Sequence, residues 1–167
     1  MKIVSERAQA LAEQFEQANN EAIAAVEGCS DQQWRRHVES ENRSVGVVMH
    51  HVASAHPVIA AWVTAAARGQ DVGIERDRID QFNAQHAREQ ATCTKVETLA
   101  LLRRHGEAAA RVVRDLDDSE LDSSATIITG MPPLTAQQVT ERILIGHVRG
   151  HLATVQADDW RILSAQW

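Results

Sequence analysis

Four long segments of this sequence carry apolar residues at helical spacing, and few strand signals compete with them. The predicted helices cover residues 5–26, 44–67, 94–116 and 135–157. Alanine is abundant, aromatic residues make up only 4% of the chain, and tyrosine is absent. This composition favours helices that pack closely through small side chains over a β-sandwich. We therefore predict an all-α fold, a helical bundle in one domain spanning residues 1–167.

Capping residues mark the expected helix boundaries. Ser44 is a good N-cap for the second helix, and Gly69 follows its end. The third and fourth helices open with capping boxes, in which a Thr N-cap is followed three residues later by Glu or Gln. These boxes are Thr94 with Glu97 and Thr135 with Gln138. Pro57 lies within the second helix, where its missing N–H predicts a kink near residues 53–57.

The connection between the second and third helices is the longest of the three. It runs from Gly69 to Cys93, and Ile79, Phe82 and Asn83 indicate a short helical piece inside it. A connection of this length can pass along a bundle and return the chain at the far end. We therefore expect a bundle with one long crossover between helices two and three.

Charge and hydropathy argue against two classes of partner. The formal net charge is -6, whereas nucleic-acid binders normally show a basic surplus. No stretch approaches the roughly 20 apolar residues that a membrane span needs, and the N-terminal segment lacks the apolar core of a signal peptide. Cys29 and Cys93 are far apart without a CxxC spacing, so we expect reduced thiols. The expected protein is cytoplasmic and binds neither nucleic acid nor membranes.

Two of the eight histidines have the spacing of metal ligands. His147 and His151 are four residues apart on predicted helix four, so both imidazoles project from one face. They share an inward stripe with Ile143, Leu144 and Val155. Buried imidazoles need hydrogen-bond partners or a metal ion. The alternative is a pair of polar residues on a partly exposed face.

A third histidine is expected at the same depth in the bundle. His51 belongs to the inward stripe of helix two and lies roughly 10 Å from the start of that helix at Ser44. If helix four runs antiparallel to helix two, His147 and His151 fall at the same level. We predict that these three histidines bind one divalent metal ion. Zinc is the first choice and nickel the alternative, because both accept imidazole ligands.

The remaining histidines are expected to have lesser roles. His50 points about 100° away from His51, which places it either beside the site or on the surface. The others are expected on loops or on the surface, although His86 approaches the site if the crossover covers the cavity. These other histidines are His37, His56, His86 and His105.

No acid–base residue can be assigned from the sequence. No Glu or Asp lies one helical turn from a predicted ligand on the inner face. Glu141 and Arg149 belong to other faces of helix four, and Asn83 lines the pocket only if the crossover covers it. The catalytic residues are therefore left unassigned.

Three stretches of the sequence resemble the DinB-like (DNA-damage-inducible) family. They are SVGVVMHHVA at 44–53, IDQFNA at 79–84 and GHVRGHL at 146–152. The resemblance implies a four-helix bundle with up-down-down-up topology and a three-histidine metal site that maps onto His51, His147 and His151. In the family's register the ligand precedes Val52 and Ala53, which again selects His51 over His50.

The resemblance also has implications for function. Relatives include thiol-dependent S-transferases and a mycothiol-dependent isomerase, and family members often form homodimers. We therefore expect a metal-dependent, thiol S-transferase-like enzyme that acts on small electrophiles, uses a low-molecular-weight thiol and forms a homodimer. A metal-binding or small-molecule-binding protein without catalysis is the alternative, which the missing acid–base residue favours. A third possibility is an interaction module whose histidines only satisfy one another.

Overall fold

A computed structural model of the chain describes residues 4–164, and the side chains of residues 4–157. The elements in chain order are α1 (Glu6–Gly28), α2 (Asp31–Arg35), β1 (His37–Val38), β2 (Arg43–Ser44), α3 (Val45–Ala67), α4 (Arg76–Glu89), α5 (Lys95–Arg114), α6 (Asp118–Asp122), β3 (Ser124–Ala125), β4 (Leu134–Thr135), α7 (Ala136–Gln138), a π-helical segment (Val139–Ile145) and α8 (Gly146–Ser164). None of the described helices is long and apolar enough to cross a membrane.

The long helices form a four-helix bundle. Its members are α1, α3, α5 and helix four, a name we use for the continuous run of α7, the π segment and α8. Helix α5 packs along both α1 and α3, and α3 also contacts the π segment and α8. Helix α4 lies in the crossover and packs against α3. The up-down-down-up bundle with a long crossover is confirmed, although α4 has 14 residues where only a short helical piece was predicted.

Side-chain caps confirm the predicted helix starts. The hydroxyl groups of Ser5 and Ser44 accept hydrogen bonds from backbone N–H groups in the first turns of α1 and α3. Both predicted capping boxes, at Thr94 and Thr135, are present. Each such cap contributes about 1 kcal/mol to the stability of the fold, because it satisfies a backbone N–H that has no partner within the helix.

Two short hairpins that were not predicted lead into the second and fourth helices of the bundle. Strand β1 pairs antiparallel with β2, which ends at the N-cap Ser44, and β3 pairs with β4, which ends at the N-cap Thr135. Strands of two residues are too short to give the period-two pattern that identifies a strand. The turn between β1 and β2 contains Asn42 with a φ of 53°, a conformation that Asn adopts more readily than most residues. The hairpins fix where the histidine-bearing helices begin.

A buried polar cluster lies within the alanine-rich core where α1, α3 and α5 meet. His56 is fully buried, with Nε2 2.8 Å from Asn19 Oδ1, and Asn19 Nδ2 donates to the Leu102 carbonyl at 2.9 Å. The Phe15 ring packs edge-on against His56 with centroids 5.1 Å apart. The prediction of a loop or surface position for His56 is wrong, because His56 lies on the same buried face of α3 as Val52.

Helix α5 compensates for the proline inside α3. Pro57 has no N–H, so it cannot bond to the Ala53 carbonyl four residues earlier. His105 Nδ1 donates to that carbonyl at 2.9 Å and replaces the missing helical hydrogen bond. His105 is therefore a half-buried contact between helices, and its predicted surface position is wrong. Helix α3 continues through Pro57 to Ala67.

Burial of His56 makes the stability of the fold depend on pH. Burial, with a smaller repulsion from His105, lowers the pKa of His56 from 6.5 to about 4. Between these two values the unfolded chain binds more protons than the folded chain, so stability is lost as the pH falls through this window. Lowering the pH from 7 to 5 is expected to reduce the free energy of unfolding by about 2 kcal/mol through this residue.

Urea denaturation of His56→Gln at pH 7 and pH 5 checks this expectation. Between pH 7 and pH 5, the free energy of unfolding should fall less in this variant than in the wild type. The difference between the two falls should equal the contribution of His56. His37 is exposed, and His37→Gln should keep the pH dependence of the wild type. The same pH dependence in His56→Gln and the wild type would show that His56 titrates normally.

Candidate metal centre

Three histidines from two helices meet inside the bundle. His51 comes from α3, His147 and His151 come from α8, and one ring nitrogen of each lies within 4.8 Å of the other two. The ring centroids of His147 and His151 are 4.5 Å apart, and that of His51 lies 4.8 and 5.1 Å from them. Within residues 4–157, no other group of His, Cys, Asp or Glu side chains has the geometry to hold a metal ion. The structure thus brings together the three residues selected from the sequence, which we call the histidine triad.

The π segment comes directly before the first histidine of helix four. Its turns contain more residues than α-helical turns, and the backbone N–H of Gly146 bonds to the carbonyl of Glu141, five residues earlier. The extra residue shifts the face that the rest of the helix presents to α3. Ile143 of the predicted inward stripe is only half-buried, whereas His147 reaches His51. Segments of this kind recur at functional sites.

Burial keeps two rings of the triad neutral. It lowers the pKa of His51 to about 2 and that of His147 to about 3, and repulsion from the neighbouring histidines adds to the effect. A neutral imidazole has a free nitrogen lone pair, which is the form that binds a metal ion. Both rings are therefore available as ligands at neutral pH.

The polar atoms of the triad fit a divalent cation. The Nε2 atoms of His51 and His147 face each other at 2.9 Å. Among the described residues, no hydrogen-bond partner reaches the buried Nδ1 atom of His147. Buried polar groups without partners are destabilising by about 1–3 kcal/mol. Ring nitrogens of neutral imidazoles that face one another are ligands of the kind that divalent cations bind, so the three histidines fit such a cation.

Glu41 is a residue of this site that the sequence did not reveal. Its Oε1 atom accepts hydrogen bonds from His151 Nδ1 at 2.6 Å and from Thr154 Oγ1 at 2.8 Å. Burial alone would raise the pKa of Glu41, but the hydrogen bond and attraction of His151, helped by Thr154 and Arg43, lower it to about 2. A carboxylate that binds the second nitrogen of a metal-binding histidine fixes its ring and tautomer.

The position of Glu41 explains why it was missed. It lies in the turn between β1 and β2, and not one helical turn from a triad residue, where acid–base candidates were sought. The turn itself was not predicted. The one signal in the sequence that could have indicated Glu41 is its position shortly before the N-cap of a histidine-bearing helix.

Glu41→Gln is expected to weaken zinc binding by roughly tenfold to a hundredfold, the usual effect of losing such an outer partner. Competition with a chromophoric chelator measures this affinity. Glu39 lies in the same turn and is exposed, so Glu39→Gln is the matched control and should bind zinc like the wild type. Unchanged affinity in Glu41→Gln would mean that Glu41 does not orient His151.

Two further histidines flank the triad. His50 Nδ1 lies 2.8 Å from His86 Nε2 and 3.2 Å from Ser54 Oγ. The His86 ring centroid is 5.6 Å from that of His51. His50 is therefore buried beside the site, one of its two expected positions, and not on the surface. His86 is half-buried on α4, which corrects its surface assignment and shows that the crossover helix reaches the triad.

The other candidate residues lie outside the triad. Glu141 and Arg149 are exposed, in agreement with their predicted faces. Asn83 is half-buried on α4, and its role beside the site stays a prediction. Cys29 and Cys93 are not joined by a disulfide, and their reduced state stays a prediction.

Comparisons with known proteins relate this chain to a protein family and to a solved structure. A family model described as the DinB superfamily matches residues 14–155. The chain is similar in structure to YfiT from Bacillus subtilis, described as "a probable metal-dependent hydrolase with an unusual four-helix bundle topology". That similarity has a TM-score of 0.78 at 18% sequence identity and covers 96% of this chain and 90% of YfiT. No curated protein sequence matches the chain significantly.

Proposed function

The chain belongs to the DinB superfamily, and on that premise we propose that it is a metal-dependent enzyme that transfers a low-molecular-weight thiol to a small electrophile. His51, His147 and His151 would hold one divalent cation, with zinc as the first choice and nickel as the second. The observation that carries this proposal is the meeting of three histidine nitrogens within 4.8 Å. Three protein ligands leave a position open for a substrate, as in catalytic sites and unlike closed structural ones.

The surrounding residues hold this site in a reactive form. When bound, the cation lowers the pKa of a thiol and so supplies a nucleophile near neutral pH. Burial keeps His51 and His147 neutral, and Glu41 orients His151. In the transfer, the thiol sulfur bonds to the electrophilic carbon, the leaving group departs with its bonding electron pair, and the thiol proton passes to solvent.

Hydrolysis is the second candidate function. It is favoured by the description of YfiT, a structural neighbour, as a probable metal-dependent hydrolase. The same site would then use water in place of the thiol. The two candidates therefore differ in the nucleophile and not in the residues that hold the cation.

The test measures thiol consumption by the zinc-loaded protein with several low-molecular-weight thiols and a panel of small electrophiles. We expect thiol loss above the rate of the metal-free protein. Parallel reactions without thiol report hydrolysis. Loss of the electrophile at the same rate with and without thiol, and without loss of thiol, would favour the hydrolase. Stabilisation by these compounds without turnover of either kind would indicate a binding protein without catalysis.

Oligomeric state and location stay predictions. We propose a homodimer, which rests on the resemblance to the family and which sedimentation of the purified protein tests. A cytoplasmic location is likewise a proposal, and fractionation of the source cells tests it.

A further inference from the structure

Arg43 has a buried donor without a hydrogen-bond partner among the described residues. Arg43 begins β2, and its side chain is only 16% exposed. Its Nε donates to the backbone carbonyl of Glu41 at 3.3 Å, and its Nη2 donates to Glu41 Oε2 at 3.2 Å. Within residues 4–157 no hydrogen-bond partner reaches its buried Nη1 atom. This atom carries two N–H groups on a cation that does not lose its proton, so it needs an acceptor.

This unused donor belongs to a side chain that adjoins the histidine triad. Glu41, which Arg43 contacts, binds His151 at 2.6 Å. His86, whose ring centroid is 5.6 Å from that of His51, also has a buried Nδ1 atom without a partner among the described residues. The charge of Arg43 acts on both His51 and His86. With His147 Nδ1, three buried polar atoms without hydrogen-bond partners among the described residues therefore lie around this centre.

The balance of charges favours an anionic ligand. The positive charge of Arg43 is offset by the carboxylate of Glu41, and histidine binds a metal ion as a neutral imidazole. A divalent cation in the triad would therefore bring two positive charges that no side chain of this group offsets. Such a centre attracts anions.

We propose that Arg43 binds the carboxylate of an anionic ligand beside the metal centre, and so makes the site selective for carboxylate-bearing small molecules over neutral ones. The planar guanidinium matches the geometry of a carboxylate and forms strong, charge-assisted hydrogen bonds with it. This assignment rests on the proposed function, and it specifies the chemical class of the small molecule that the site binds. If Arg43 only held Glu41 in place, its loss would weaken charged and neutral ligands alike.

The test compares 4-mercaptobutyrate with 4-mercaptobutanamide, which have the same length and differ in charge, on the cobalt-loaded protein. The thiolate-to-cobalt absorption band reports binding without any turnover. The carboxylate is expected to bind the wild type roughly tenfold to a hundredfold more tightly than the amide, the effect of a charge-assisted hydrogen bond. Equal affinities for the two compounds in the wild type would overturn the proposal.

Three variants assign the preference to Arg43. Arg43→Met should remove it, and Arg43→Lys should retain part of it, because Lys keeps the charge but not the planar fork. Arg104 is an exposed arginine on α5, and Arg104→Met should keep the full preference. A preference that persists in Arg43→Met would overturn the proposal. Circular dichroism and cobalt titration check the fold and the site of each variant, and the wild-type and Arg43→Lys results stand even if Arg43→Met does not fold.

Failure of the proposed metal-dependent function can be distinguished from failure of the anion site at Arg43. If the protein takes up no cobalt, the metal centre itself is wrong, and the same two compounds are compared by thermal denaturation of the metal-free protein. Greater stabilisation by the carboxylate than by the amide, lost in Arg43→Met, would support the anion site without the metal. Equal stabilisation would overturn it.

Discussion

Replacing His51 with alanine is expected to weaken zinc binding by about a hundredfold or more. The free energy of zinc binding to sites with four protein ligands is about 10–16 kcal/mol, which is roughly 3 kcal/mol for each ligand. A loss of that size corresponds to about a hundredfold in affinity. The variant would keep only the histidine pair of α8, two ligands from a single helix. Competition with a chromophoric chelator, on protein without a histidine tag, measures the change.

Two other histidine variants serve as controls for His51→Ala. His37 is exposed, so His37→Ala should bind zinc like the wild type. His50 is adjacent in sequence but pairs with His86, so His50→Ala should retain most of the affinity. Unchanged affinity in His51→Ala, or a loss as large in His37→Ala, would contradict the assignment of His51 as a ligand.

Gly106→Ala is expected to destabilise the fold by about 3 kcal/mol. A Cβ atom at this position would lie 2.2 Å from Asn19 Nδ2. Asn19 cannot withdraw without breaking its hydrogen bonds to Leu102 and His56. Overpacking costs about 1–3 kcal/mol, and a broken buried hydrogen bond costs about 1–3 kcal/mol more. Together they outweigh the gain of about 1 kcal/mol that alanine brings to a helix.

Gly150→Ala is the matched control, because Gly150 also lies within a helix but has open space beside it. A Cβ atom there would meet nothing within 4 Å apart from its chain neighbours and the backbone of its own helix. This variant should be stabilised by up to about 1 kcal/mol. Urea denaturation of the metal-free proteins gives both values. If the two variants changed stability in the same direction, Asn19 would not be packed against Gly106.

The bundle could be predicted because its signals are local. A helix start depends on a few neighbouring residues, so Ser44 and the boxes at Thr94 and Thr135 identified three of them correctly. The long crossover followed from the distance between two such segments along the chain. Local signals were insufficient for the hairpins and the π segment, because strands of two residues and a single widened turn leave no periodic pattern.

The triad could be selected for a similar reason. His147 and His151 are one turn apart on one helix, and His51 lies on the inward face of another. Their neighbours could not be selected this way. Glu41 reaches His151 from a turn that is distant in the sequence. Its position depends on how the hairpin folds onto helix four.

Burial of the other histidines also depended on packing between helices. His56 was predicted to lie on a loop or on the surface, yet it pairs with Asn19 from α1 inside the core. His86 reaches His50 only because α4 folds across α3. In each case the decisive partner lies on another element, which no periodicity of the residue's own segment reveals.

The sequence by itself determined where the helices lie and which three histidines can share a metal ion, because helical geometry relates position along the chain to position on a face. Only the tertiary structure decided what surrounds those histidines. Glu41 orients one of them. Arg43 places beside them a hydrogen-bond donor that has no partner among the described residues. These contacts join residues distant in sequence, so they depend on the packing of whole elements and not on the spacing of residues within one.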